Sequence, residues 1–125
     1  MFVINPDQSI HITRGDVASI VISATLQDGS LYKFALNDVV RFKVFDKNGC
    51  DTIHIQKDVE VLRSFTEVVV RLTKEDTKLG DVINRPVEYW YEVELNPDTE
   101  PQTIIGYDEN GPKTFKVYPE GSDRV

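Results

Sequence analysis

Few side chains in this sequence have the type and spacing that chemistry requires. The chain of 125 residues has one cysteine, Cys50, and two histidines, His11 and His54, which are far apart in the sequence. A nucleophilic cysteine needs a neighbouring base, and a zinc site needs clustered ligands. We therefore expect an inert thiol, exposed histidines, no catalytic residue, no cofactor and no metal ion, which predicts a protein that is not an enzyme.

An acidic stripe is the second candidate for chemistry. Glu88, Glu92 and Glu94 fall on one face of the alternating segment Val87–Leu95. Two carboxylates can hydrolyse a glycosidic bond when a cleft holds them at a suitable separation. On an alternating strand, a solvated or cross-strand-paired face is the simpler interpretation, and we adopt it.

Two loops carry oxygen ligands beside a glycine, as calcium loops do. They are Asp46–Gly49, which Asp51 partly extends, and Asp108–Gly111. An EF-hand also needs a further oxygen ligand at its fifth position and a bidentate glutamate at its twelfth. Both loops lie between predicted strands, where Asn-Gly favours a type I′ turn, so we interpret them as hairpin turns.

Arg14-Gly15-Asp16 spells the tripeptide that integrins bind. That activity requires an extracellular protein and a protruding loop. We favour a tight turn in which glycine supplies backbone freedom and the aspartate bonds local amides.

Apolar and polar residues alternate along most of the chain, as they do in half-buried strands. The predicted strands, separated by Gly, Asn and Asp turns, are Ser9–Arg14, Val17–Gln27, Ser30–Phe34, Asp38–Asp46, Thr52–Leu62, Thr66–Leu72, Val87–Leu95, Gln102–Tyr107 and Lys113–Tyr118. The last two are predicted to form a hairpin through Asp108–Pro112. A helical turn is predicted at Lys74–Leu79, because Thr73 precedes acidic residues suited to a first turn. The pattern favours one antiparallel β-sandwich domain, residues 1–121, with a flexible tail at 122–125.

Strand parity separates core positions from surface positions. It places Val40, Phe42 and Val44 inward, together with Ile20, Ile22, Ala24, Leu26, Ile53, Ile55, Val59, Val61, Val68, Val70, Leu72, Tyr89, Tyr91, Val93 and Leu95. Trp90 and Phe45 have the outward parity. Since Trp and Phe are enriched at interfaces, these two are candidate contact residues, with Glu88, Glu92 and Glu94 as a charged rim.

The net charge of −7 limits the kinds of partner that we expect this protein to bind. A nucleic-acid site needs a basic face, and so does docking on anionic lipid. The sequence contains no signal-peptide pattern and no apolar run of membrane-spanning length. We expect synthesis in a cytoplasm, no nucleic-acid partner and no membrane insertion.

The segment Ile10–Ile20 (IHITRGDVASI) resembles the opening I-x-x-x-R-G-D-T/V-x-x-x of phage baseplate and tail proteins. The family it resembles is the N-terminal domain of the lactococcal-type upper baseplate protein, with related prophage proteins of Gram-positive bacteria. Further similar segments are Asp38–Phe45 (D-x-V-x-F-x-V), Leu72–Leu79 (L-T-x-E-D-T-x-x-L), Val87–Leu95 (Y-x-Y-D-I-x-L) and Thr103–Val117 (x-T-I-x-x-G-x-F-x-V). The Asp108–Lys113 insert departs from the family by lengthening the last hairpin.

The resemblance implies an immunoglobulin-like assembly domain that stands alone. It predicts a structural component of a phage or prophage tail or baseplate, which contacts other tail subunits or itself and ends in the virion tail. The alternative is a carbohydrate- or cell-surface-binding β-sandwich module in which Trp90 is a stacking platform.

Overall fold

A computed structural model describes residues 2–4, 9–26, 28–47, 49–79, 85–107, 109 and 111–120. Of residues 2–4 and 49–51 only the backbone is described. The predicted tail at 122–125 lies outside this part of the chain, as do the loop residues Asn48, Asp108 and Asn110.

Over the described residues the protein is all-β with one short helix, as the alternating pattern predicts. In chain order its elements are β1 (Phe2–Ile4), β2 (Ile10–Thr13), β3 (Ala18–Ile22), β4 (Val39–Asp46), β5 (Gly49–Glu60), β6 (Val68–Leu72), α1 (Lys74–Thr77), β7 (Val87–Leu95), β8 (Gln102–Ile105) and β9 (Lys113–Tyr118).

The strands form two sheets. The larger is seven-stranded with the order β1-β2-β9-β7-β4-β5, and β8 also pairs with β7. The smaller is the antiparallel pair β3-β6. The buried faces of both sheets contribute to one hydrophobic core. The predicted inward positions Val40, Phe42 and Val44 are all fully buried in it, which confirms the parity of β4.

Two pairings differ from the prediction. β2 pairs with β9 in parallel, so the large sheet is not wholly antiparallel. β8 and β9 do not form the predicted hairpin: both pair antiparallel with β7, β8 along its second half and β9 along its first half. They therefore run in the same direction along one edge of β7, and residues 106–112 interrupt what would otherwise be one long strand.

Three predicted strand positions are also wrong. β3 ends at Ile22, and Leu26 is exposed rather than inward. The predicted strand at Ser30–Phe34 is reduced to one bridge between Thr25 and Leu31, although the chain does reverse around Gly29. β1, which pairs with β2, lies before Ser9–Arg14, the first predicted strand.

A shift of register in the β4–β5 hairpin overturns a further prediction. Val44 pairs with Ile55, but Phe45 pairs with Ile53, so His54 is an extra residue in β5. A β-bulge of this kind reverses side-chain parity beyond it. Ile53 consequently leaves the core and lies exposed on the same face as Phe45. The hairpin also places Cys50 within β5, ahead of Thr52, the predicted start of that strand.

The helical turn α1 forms where Thr73 and the acidic residues predict it. The Thr73 hydroxyl accepts a hydrogen bond from the Asp76 N–H at 3.3 Å, and the Asp76 carboxylate accepts one from the Thr73 N–H at 2.8 Å. This reciprocal capping box satisfies amides that the first turn leaves unpaired. Within the described residues, no helix is long and apolar enough to cross a membrane.

Candidate functional site

The two aromatic residues singled out by strand parity are direct neighbours. Phe45 on β4 and Trp90 on β7 are register partners in the large sheet. Both are half-buried, whereas the next residue of β7, Tyr91, is buried in the core. The pair therefore lies on the face of the large sheet that points away from the core, and we call this the outer face.

Two more apolar residues extend the pair. Ile53 is the β5 partner of Phe45 and is 45% exposed. Tyr107, which follows β8, meets the Trp90 ring edge to face with centroids 6.3 Å apart and is 74% exposed. We call Ile53, Phe45, Trp90 and Tyr107 the aromatic row. It crosses three strands and ends on the segment that interrupts β8 and β9.

The acidic stripe is paired with two lysines, Lys43 on β4 and Lys47 directly after it. Lys43 Nζ lies 3.0 Å from a carboxylate oxygen of Glu92 and 2.8 Å from one of Glu94. Burial lowers the pKa of Lys43, but hydrogen bonds to Glu94 and Glu92 outweigh burial and raise its pKa overall. Glu88 is paired with Lys47 at 3.5 Å. The predicted charged rim is thus a set of cross-strand ion pairs that borders the aromatic row on both sides.

A second charged cluster lies one row further along the same face. Arg41 Nε and one guanidinium NH₂ donate to the two carboxylate oxygens of Asp58 at 2.8 and 3.0 Å, and the guanidinium also contacts Asp98 at 3.1 Å. The hydrogen bond to Asp58 is the main cause that raises the pKa of Arg41. These contacts extend the cross-strand ion pairs of the outer face from β7 to β5.

Sequence reasoning found half of the aromatic row. Trp90 and Phe45 follow from parity alone, and so does the common face of Glu88, Glu92 and Glu94. Ile53 was missed because the sequence contains no signal that predicts the bulge at His54. Tyr107 was missed because it was placed at the end of a regular strand; Gly106 before it was the available signal of a break.

His54 and Asp46 form the contact that most resembles catalytic machinery. His54 Nε2 lies 2.5 Å from the Asp46 carboxylate, and the imidazole meets the Tyr89 ring at 5.0 Å. Hydrolases orient a base with a carboxylate in this way, but the base must reach a nucleophile. Here the Tyr89 ring packs against the imidazole, and no hydroxyl or thiol among the described side chains is hydrogen-bonded to it. We interpret the cluster as structural. It also engages the carboxylate of Asp46, the first residue of the calcium-like loop, in a contact with His54.

His11 is likewise held by an aromatic ring. It is half-buried, its ring centroid lies 5.7 Å from that of Tyr118, and the tyrosine hydroxyl is 3.3 Å from His11 Nδ1. Among the described residues, no three His, Cys, Asp or Glu side chains are grouped as metal ligands.

The Arg-Gly-Asp turn is part of the packed structure. Arg14 is 9% exposed, and its Nη1 donates to Glu120 at 2.6 Å. Gly15 has φ 86°, the left-handed conformation that glycine permits. Buried and paired, the arginine is not displayed as integrin recognition requires.

Comparisons with protein-family models, with curated proteins and with solved structures found no match. The assignment of the chain to a family of baseplate proteins therefore stays a prediction.

Proposed function

We propose that this protein is a structural, non-enzymatic component of a phage or prophage tail or baseplate, and that the outer face of its large sheet binds another tail subunit. The aromatic row carries this proposal. Aromatic side chains at the centre of an interface, with polar groups around them, provide most of the binding energy of typical complexes.

The row is suited to binding because its side chains are already positioned. Phe45 and Trp90 are held by cross-strand neighbours, and Lys43 is held between two carboxylates. Fixing Phe45, Trp90 and Lys43 on binding therefore costs less side-chain entropy than fixing fully exposed side chains would. The flanking ion pairs contribute selectivity and salt sensitivity more than affinity.

An immunoglobulin-like sandwich is the fold that we infer for this assembly domain. The order β5-β4-β7-β9 opposite the pair β3-β6 corresponds to strands C′-C-F-G opposite B-E of immunoglobulin domains. The correspondence has three departures in the described residues: β2, at the position of strand A, pairs with β9 instead of with β3; β1 and β8 are additional strands; and no strand D lies beside β6.

The resemblance to baseplate proteins is supported by contacts between two of the segments that carry it. Thr77, from the L-T-x-E-D-T segment, donates a hydrogen bond to the carbonyl of Asp16 at 2.7 Å. Arg14 Nε donates to the carbonyl of Leu79 at 3.5 Å. The quoted motifs are therefore two halves of one structural joint, as expected if the resemblance is one of fold. On this proposal the protein is made in the host cytoplasm and ends in the virion tail.

Co-expression with the products of neighbouring genes tests the proposal. We expect those genes to encode tail proteins and at least one product to co-elute with this chain. Trp90→Ser should weaken that complex by about 2 kcal/mol or more. The matched control is Leu62→Ser, which removes an apolar side chain that is 75% exposed on the loop after β5. Neighbours without tail genes, or a complex that tolerates Trp90→Ser but not Leu62→Ser, would contradict it.

A carbohydrate-binding module is the second candidate, and the exposed Tyr107 ring beside Trp90 favours it. Aromatic rings beside fixed carboxylates are a common way to hold a sugar. A glycan array separates the two functions: specific sugar binding that Tyr107→Ser abolishes would replace the assembly role with this one.

A further inference from the structure

The small sheet has an open edge on β3. Among the described residues, β3 pairs with β6 on one side and with no strand on the other. An edge of this kind presents unpaired backbone N–H and C=O groups to any chain that can align with it. Two-stranded sheets are also marginal by themselves, so a further strand would stabilise this one.

The sequence of this edge lacks the features that normally prevent strand addition. Val17–Gln27 is the longest stretch of the chain without a charged residue, and it contains no proline. β5, at the edge of the large sheet, carries Lys57, Asp58 and Glu60. Charged side chains on an edge strand disfavour pairing with another chain, so β5 is protected from strand addition and β3 is not.

An apolar cleft of about 120 Å³ lies beside β3. Its wall includes Ile20 and Ile22 from β3 and, from the large sheet, Ile10, Tyr91, Val93 and Ile105. Val21 also borders this cleft, although its side chain has the solvent-facing parity. Val21 is 51% exposed, and its β6 partner Val69 is 40% exposed. Ile20 and Ile22 are already buried, so a strand added to β3 would gain apolar burial chiefly at Val21, in addition to the backbone hydrogen bonds.

We infer that the occupant is a second copy of this chain, whose β3 pairs antiparallel with the first about a two-fold axis. The result is a continuous four-stranded sheet in the order β6-β3-β3-β6. An antiparallel edge is complementary to itself, as a two-fold interface requires. With a net charge of −7, two copies repel at most surfaces, and the uncharged β3 edge lets them meet without opposed carboxylates.

Sedimentation analysis of wild type, Val21→Lys and Val69→Lys tests this inference. The two valines are register partners on the same exposed face, but only Val21 is on the strand at the seam. Both variants change the net charge equally, so general repulsion is matched. We expect a reversible wild-type dimer, a dissociation constant raised at least about tenfold by Val21→Lys, and a smaller effect of Val69→Lys. Thermal melts check that both variants stay folded.

Hydrogen exchange at two concentrations gives an independent readout. Amides of β3 should exchange more slowly at high protein concentration, while those of β5 should not change. A wild-type protein that stays monomeric to about 1 mM overturns the inference and leaves the edge to a strand from a different protein. A dimer that Val69→Lys dissociates as strongly as Val21→Lys also overturns it.

This inference is independent of the tail assembly proposed above. Trp90 lies on the outer face of the large sheet, so Trp90→Ser should leave the β3 dimer intact. A dimer that is lost in Trp90→Ser but kept in Val21→Lys would place self-association on the aromatic row and contradict the β3 seam.

Discussion

Thr77 is a fully buried polar residue that joins two distant parts of the chain. Its hydroxyl donates to the Asp16 carbonyl at 2.7 Å and lies 3.3 Å from the carbonyl of Lys74. Thr77→Val keeps the shape and leaves the Asp16 carbonyl without this donor, so we expect a loss of about 1–3 kcal/mol in the free energy of unfolding, measured by urea denaturation. Thr52→Val, at an exposed strand position, is the control and should cost less than about 0.5 kcal/mol. Equal effects would show that the hydroxyl is not a structural joint.

Gly106 has no room for a side chain. A Cβ built there would lie 2.6 Å from Cγ2 of Thr103. Gly106→Ala should therefore destabilise the fold by about 1–3 kcal/mol, the usual cost of overpacking. Thr103→Ser removes that methyl group, and in the double variant it should restore part of the lost stability. Additive effects of the two substitutions in thermal melts would contradict steric contact as the cause.

At this scale the sequence is informative about residue types and less so about contacts. Thr73, Glu75 and Asp76 predict the cap of α1 by local chemistry alone. The hydrogen bond between Thr77 and Asp16 joins residues that are far apart in the sequence, so no local sequence pattern predicts it. The same holds for Lys43, whose two glutamate partners are fixed only once β4 and β7 are adjacent.

Asp38 joins three elements at the start of β4. Its carboxylate accepts hydrogen bonds from the Tyr32 hydroxyl at 2.7 Å, the Ala35 N–H at 2.9 Å and the Asn96 side chain at 3.1 Å. Burial raises the pKa of Asp38, but these hydrogen bonds outweigh burial and hold its pKa below the ordinary value of 3.8. In the same contact, the hydrogen bond to Asp38 raises the pKa of Tyr32.

A folded-state pKa below the unfolded value means that the unfolded chain binds a proton more readily. Asp38 therefore contributes stability that is fully present above about pH 4 and is lost as pH falls through its lower folded pKa. Asp38→Asn should be less stable at neutral pH and should lose stability less steeply below pH 4, measured by urea denaturation as a function of pH. An unchanged slope would mean that Asp38 contributes nothing to acid unfolding.

Element prediction succeeded where side-chain period decides the structure. Val40, Phe42 and Val44 alternate and are buried as predicted. It failed where strand pairing decides the structure. The bulge at His54 places Ile53 on the outer face. β8 and β9 both pair with β7, one after the other, instead of forming the expected hairpin with each other. The alternation of apolar and polar residues does not predict either of these pairings.

The whole molecule is not expected to need a metal ion. Thermal melts in EDTA and in added calcium should coincide, because Asp46 already pairs with His54. A ligand that binds only the native state raises the melting temperature by mass action. A large calcium-dependent rise would contradict this expectation and identify Asp46, Asn48 and Asp51 as ligands.

The role of the whole molecule is less accessible from sequence than its class. The alternating pattern predicts an all-β protein, and the structure confirms it. Function depends on surfaces, and here Trp90, Phe45, Ile53 and Tyr107 come from four separate segments of the chain. Parity can nominate the first two, but their grouping into one row is a property of the folded sheet.

Fluorescence of Trp90 during complex formation tests the central proposal most directly. The chain has one tryptophan, so its emission reports on the aromatic row alone. Trp90→Ser provides the blank for the partner's own signal when it is mixed with the same tail partner at a concentration high enough to offset its weaker binding. We expect a blue shift of the emission and reduced quenching by acrylamide when the partner binds, because a buried interface excludes water from the ring. A complex that forms while Trp90 emission and quenching stay unchanged would contradict the assignment of the outer face as the binding surface.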